Sequence, residues 1–150
     1  EEVAIKKFIY EKKEGVSPDL RDIQDFYHEL KILEKLKGIS NKNIVDYKGF
    51  FFKDNKNFEN LRLVFKKYRT NLNDRIKEEE GFVSNPLLLK YFIGIGEALK
   101  FLKDKGLYHL DLRPTNILID DQENALITDF GICWDKNNNK KEIYYFKKKI

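Results

Sequence analysis

Methionine is absent from all 150 residues, while cysteine and tryptophan occur once each and proline three times. A single cysteine, Cys133, excludes an internal disulfide and a cysteine-only metal site, so a reducing compartment is expected, the cytoplasm or else the nucleus. No run of about 18 uncharged apolar residues occurs, so neither a membrane span nor a secretory leader is expected. An excess of one charge is also missing. The 29 basic and 25 acidic residues largely interleave and leave a formal charge of +4, a balance that speaks against nucleic acid as a partner. The one dense basic cluster, Lys147, Lys148 and Lys149, follows a polar, low-complexity stretch at 137–141 and reads as a solvated segment. Repeats at solenoid periods are lacking too. Because position 1 is not methionine and the chain opens directly on a strand pattern, it is expected to be a piece of a longer protein.

What is present suffices for a packed core, since 41% of the residues are hydrophobic and 14% aromatic. Residues 3–8 read as a strand, with Ala4 and Lys6 on one face and Val3 and Ile5 on the other. A polar loop at 11–15 follows. Ser17 and Pro18 then form a helix opening as N-cap and first position, and Gly38 closes that helix. On it Ile23, Phe26, Leu30 and Leu33 make an apolar stripe, and Glu29 lies beside the stripe, where an unpaired carboxylate would be costly. Two further strands are expected at 44–52 and 61–66, around a polar loop at 53–60. Asn85 and Pro86 open a second helix, on which Leu88, Phe92, Ile95, Leu99 and Leu102 are expected as core, ending near Gly106. Gly94 and Gly96 on that helix are ascribed to close packing.

The chemistry sits in two short stretches, His109-Leu110-Asp111-Leu112-Arg113-Pro114-Thr115-Asn116 and Asp129-Phe130-Gly131. Magnesium takes hard oxygen ligands, and Asn116 and Asp129 supply them. Asp111, five positions before Asn116, is placed to accept a proton from an attacking hydroxyl, and Arg113 adds a fixed cation. Between the stretches, the runs 117–119 and 125–128 flank a polar turn at 120–124 and predict a hairpin. Closing it brings Asn116 and Asp129 together for one metal, although they are 13 positions apart.

The first stretch resembles the protein-kinase catalytic loop, the second its metal-binding triplet, and Val3-Ala4-Ile5-Lys6 its strand-borne lysine motif, all in the family's order. The resemblance covers essentially the whole chain. It implies an α+β fold, a partial bilobal kinase fold, with residues 1–65 as partial small lobe (lysine strand, helix C and two strands). Residues 66–150 would then hold the hinge and the start of the helical large lobe. It also implies ATP and Mg2+ as cofactors and a partner protein presenting a serine or threonine hydroxyl, together with missing parts of the parent kinase domain. In those terms Asp111 is the base, Arg113 a cation near the phosphates, and Asn116 and Asp129 the metal ligands. Lys6 lies on the phosphates and Glu29, rather than its nearest competitor Glu34, orients it. Phe65 takes the gatekeeper position, the backbone of Lys66 and Tyr68 meets adenine, and Ala4 and Leu118 line the nucleotide. His109 packs with Phe130.

Two positions depart from the family pattern. Leu110 stands where an arginine usually grips a phosphorylated activation loop, which puts that mode of control in doubt. Arg113 stands where serine/threonine kinases usually carry lysine, and the following Pro114 matches that branch rather than tyrosine kinases. The glycine-rich loop and the Ala-Pro-Glu motif of the family are not in this chain, so the isolated piece is expected to lack useful kinase activity. A non-catalytic adaptor of kinase fold and a small-molecule phosphotransferase remain as alternatives.

Overall fold

The computed structural model describes residues 2–8, 20–51 and 61–138, without the side chains of 20–23. The expected loop at 11–15, the Ser17 and Pro18 cap, the side chain of Ile23, the loop at 53–60 and the basic tail lie outside the described residues.

Strand β1 (Val3–Lys7), β2 (Tyr47–Phe51) and β3 (Arg62–Lys66) form an antiparallel sheet in the order β1-β3-β2. Period-two alternation is plain on β3, where Leu63 and Phe65 are buried between half-exposed neighbours. Ala4 pairs with Phe65 and Lys6 with Leu63 across the ladder, and directly opposed residues share a face. Helix α1 (Leu20–Leu36) buries Phe26, Leu30 and Leu33 as its stripe requires, joined by Ile32 and Leu36. The Phe26 ring packs edge-on against Phe8 at 5.1 Å and Phe50 at 6.4 Å. Past the helix end Gly38 sits at φ +75°, a left-handed conformation that favours glycine.

The strand expected from 44 begins only at Tyr47. Ile44 instead makes a parallel bridge to Ile127, the Val45 N–H donates to the Ile127 carbonyl (3.0 Å), and the Ile127 N–H donates to Asn43 (2.8 Å). Backbone groups spent on that link are lost to the first sheet, so this stretch joins the two halves of the molecule.

The second sheet holds β4 (Thr70–Asn71), β6 (Ile117–Ile119) and β7 (Ala125–Ile127) in the order β4-β6-β7. The hairpin between β6 and β7 is the expected one, and Asp120 closes its turn by accepting the N–H groups of Gln122 (2.9 Å) and Asn124 (2.8 Å). A short helix α2 (Leu72–Glu78) was not anticipated; Asn71 caps it by accepting the Asp74 N–H.

Helix α3 (Asn85–Asp104) has the expected span but buries a different face. Tyr91, Gly94, Ala98 and Leu102 are inside, Leu88 and Ile95 are partly buried, and Phe92 (68% exposed) and Leu99 face out. Close approach to β7 selects small residues: a Cβ on Gly94 would stand 2.6 Å from Asn43 Nδ2, whereas one on Gly96 meets nothing within 4 Å. Close packing therefore explains Gly94 and not Gly96. The helix closes at Gly106, and β5 (Leu107–Tyr108) pairs antiparallel with β8 (Trp134–Asp135). Among the described residues no helix is long and apolar enough to cross a membrane.

Candidate active site

A cleft between α1, β1 and the loops flanking the hairpin is lined by Lys6, Phe8, Asp25, Glu29, Asp111 and Asp129. Lys6 crosses from β1 to α1, with its Nζ 2.9 and 2.7 Å from the two Glu29 oxygens and 2.9 Å from Asp129 Oδ1. Glu34 instead accepts the Tyr47 hydroxyl at 3.0 Å, so Glu29 is the acid that meets Lys6. Burial works against the Lys6 charge, but the two carboxylates outweigh it and hold the ammonium above its ordinary 10.5. For Glu29, 1% exposed, burial pushes the carboxyl up, and Lys6 and the Phe130 N–H offset only part of that rise. Asp129 goes the other way: burial is outweighed by the Lys6 hydrogen bond and charge, which keep it below the usual carboxylate range. Gly131 follows closely, and a Cβ there would lie 3.4 Å from Asp129 Oδ1 and 3.7 Å from Glu29 Oε2.

Asp111 and Asn116 form the other half of the site. The Asn116 Nδ2 donates to the Asp111 carbonyl and to its Oδ2, both at 2.9 Å, which spends the amide hydrogens and leaves the Asn116 Oδ1 as an acceptor. The exposed Arg113 places its Nε 3.8 Å from Asp111 Oδ2. Hairpin closure brings the Thr128 N–H to the Asn116 carbonyl (3.1 Å), so Asn116 meets the residue before Asp129.

Beneath the acids, Phe130 is fully buried and edge-on to the His109 ring at 5.3 Å. His109 Nε2 lies 2.8 Å from the Thr128 carbonyl and Nδ1 accepts the Asp111 N–H at 3.3 Å. A carbonyl can only accept and an N–H can only donate, so the neutral Nε2–H tautomer satisfies both partners. Burial also lowers the His109 pKa from 6.5, in the same direction. Leu110 and Asp129 both stand at φ +65°, where non-glycine side chains are strained, and both flank this histidine's contacts.

Ala4, Phe65, Lys66, Tyr68 and Leu118 are not among those lining this cleft. Phe65 is buried against the Tyr47 ring at 5.7 Å, and the Lys66 N–H already donates to the Asp46 carbonyl at 2.9 Å. The Tyr68 hydroxyl accepts the Asp46 N–H at 2.9 Å, and Leu118 pairs with Asn71 and Leu126. Sequence reasoning missed Asp25, which its position one turn before Glu29 on the same helix face signals.

As for a metal, no three His, Cys, Asp or Glu side chains converge on one among the described residues. Asp129 and the spare oxygen of Asn116 are a donor set that fits magnesium, which takes one or two protein oxygens and completes its shell with phosphates and water.

The sequence profile of the protein kinase domain matches residues 1–148. The chain belongs to the protein kinase domain family. A leucine-rich repeat receptor-like protein kinase of Arabidopsis thaliana, with "inactive" in its name, is 33% identical over 87% of this chain and 12% of its own length. The human serine/threonine-protein kinase Nek10 is 28% identical over 79% of this chain and 10% of its own. Cyclin-dependent kinase 1 of Encephalitozoon cuniculi is 32% identical over 65% of this chain and 32% of its own. This chain thus spans between about a tenth and a third of the length of these relatives. Among solved structures, the yeast RNA Pol II CTD kinase CTDK-1 complex matches with a TM-score of 0.68 at 25% identity, covering 89% of this chain and 39% of that one. The fold is therefore α+β, a partial kinase fold built from small-lobe strands and helices.

Proposed function

We propose that the chain carries the catalytic centre of an ATP-dependent serine/threonine protein kinase, acting on a hydroxyl of a protein substrate. The observation that carries this reading is Lys6 bridging Glu29 and Asp129 across the cleft from the hydrogen-bonded pair Asp111 and Asn116. Asp111 takes the proton of the substrate hydroxyl as its oxygen bonds to the γ-phosphorus, and the bond from that phosphorus to the β–γ bridging oxygen breaks, releasing ADP. Lys6, kept cationic and aimed by Glu29, neutralises phosphate charge, and Arg113 stands beside the reacting carboxylate. Asn116 and Asp129 would hold magnesium, which supplies further neutralisation of the triphosphate. We assign Phe65, the Lys66 and Tyr68 backbone, Ala4 and Leu118 to adenine, as the resemblance implies, and place the reaction in the cytoplasm or nucleus.

Phosphate transfer from labelled ATP to a serine/threonine peptide library, by the full-length protein that contains this chain, tests the reading. Asp111→Asn should lower turnover by about 100-fold to 10,000-fold, the range for a positioned general base. Full turnover in that variant refutes the role. A second reading, a kinase fold kept for binding alone, is favoured by Leu110 and by the relative with "inactive" in its name. Magnesium-dependent ATP binding without any transfer would select it.

A further inference from the structure

The stretch after Asp129 is fastened to α1 at two points that the chemistry above does not use. The Asp135 carboxylate is 1% exposed; its Oδ2 pairs with Lys35 of α1 and its Oδ1 accepts the Asn137 N–H at 3.0 Å. Four residues past Asp129, the Cys133 carbonyl lies 2.7 Å from Nε2 of His28, which must donate to it. Trp134 between them packs on Tyr108 at 5.1 Å, within the β5–β8 ladder.

His28 and Lys35 are seven positions apart, two helical turns, and therefore share one face of α1. The neighbouring residue, Glu29, meets Lys6. One helix thus holds the partner of Lys6 and both fasteners of the stretch that begins with Asp129. Stability alone is a poor reason for a buried carboxylate pair, because desolvation cancels much of its attraction; fixing one geometry is a better one. Leu110, exposed and uncharged, offers nothing to a phosphate on that stretch.

Resting on the reading of Asp129 as a magnesium ligand, we propose that Lys35 and His28 are positioning residues. Through Asp135 and the Cys133 carbonyl they lock the Asp129-Phe130-Gly131 turn to α1, so that Lys6, Glu29 and Asp129 are set as one unit with no phosphate needed to hold them.

The test uses the whole chain with Asp135→Asn, which keeps the shape and removes the charge, and Lys35→Met, with Lys35→Arg as the conservative control. Hydrogen exchange is read at the amides of 130–132 and, for comparison, in β6 and β7; Trp134, the sole tryptophan, reports docking of β8 by its emission. Magnesium-dependent ATP affinity is the third readout. Exchange at 130–132 should rise about tenfold in Asp135→Asn and Lys35→Met alike, with red-shifted emission, about tenfold weaker ATP binding, unchanged β6 and β7, and wild-type behaviour in Lys35→Arg. Unchanged exchange at 130–132, a rise spread equally over β6 and β7, or a local rise with intact ATP affinity each overturns the proposal. The ATP affinity is read on the full-length protein that contains this chain; if its wild-type form binds no magnesium ATP, the kinase reading fails, and the local exchange result alone decides whether the lock exists.

Discussion

Replacing Lys6 by methionine keeps the side-chain stem and removes the cation that Glu29 faces. Glu29 is 1% exposed with both oxygens on Lys6, so the variant strands a buried carboxylate. Breaking such a pair from one side costs about 3–5 kcal/mol if the orphan stays ionised. Glu29 has another route, which is to take up a proton. From its ordinary 4.5, neutralisation at pH 7 spans 7 − 4.5 = 2.5 pH units, or about 3.4 kcal/mol at about 1.36 kcal/mol per unit. Protonation therefore caps the loss at about 3.4 kcal/mol at pH 7. The sign follows from the raised folded-state pKa of Glu29: the folded form holds the proton more tightly than the unfolded one. The penalty thus vanishes near and below pH 4.5 and grows as pH rises toward the folded value. Asp129, which also loses Lys6, is 39% exposed and solvent screens most of its share. Urea unfolding followed by circular dichroism, on wild type, Lys6→Met and the double variant Lys6→Met with Glu29→Gln, measures this at pH 5 and pH 7. Relative to wild type, Lys6→Met should lose about 3 kcal/mol at pH 7 and under about 1 kcal/mol at pH 5, and the double variant should recover most of the pH 7 loss. Equal losses at both pH values, or no recovery, would refute the reasoning.

Two further outcomes follow from packing and titration. Gly94→Ala drives a Cβ into the buried Asn43 amide and should cost about 1–3 kcal/mol, whereas Gly96→Ala, in open space on the same helix, should gain about 0.5–1 kcal/mol; thermal melts of the pair separate the effects. His109, whose pKa burial lowers, stays neutral in the fold while the unfolded chain takes a proton as pH falls through 6.5. Stability should therefore fall below that pH, and His109→Leu should flatten the slope of melting temperature between pH 7 and 5.5; an unchanged slope contradicts the neutral tautomer.

Local chemistry was legible in the sequence, and long-range contact was legible only where a pattern forced it. Asp111 and Asn116 are five residues apart on one loop, so their pairing needed no tertiary knowledge. The β6–β7 hairpin is likewise written in two apolar runs around a turn. Glu29 could be placed because a carboxylate beside a buried stripe needs a cation. The core of α3 was misread for a physical reason. Periodicity weighs large apolar residues, while the contact with β7 and Asn43 selects Gly94 and Ala98 for their small size and leaves Phe92 outside. Strands β5 and β8 have two residues each, too short for any alternation, and α2 hid in a polar stretch although Asn71 three before Asp74 was an available cap signal. The start of β2 moved because Ile44 and Val45 bond to β7 instead, a choice no local window records.

The two halves of the site differ in what holds them. The pair Asp111 and Asn116 depends on one loop and on His109, whose neutral ring accepts the Asp111 N–H, so it is set wherever the hairpin forms. Lys6, Glu29 and Asp129 come from positions separated by 23 and 123 residues and share no backbone element. Their meeting depends on the orientation of α1, and two of the three are carboxylates that repel each other once the lysine leaves. On the proposed kinase reading Lys6 would turn to a nucleotide, and Glu29 and Asp129 would then have to stay close without it. Among the described contacts, His28 on Cys133 and Lys35 on Asp135 are what oppose that repulsion. On the proposed kinase reading, nucleotide binding would weaken the charge contact that assembles this half of the site, and the fasteners on α1 would carry the geometry through that step.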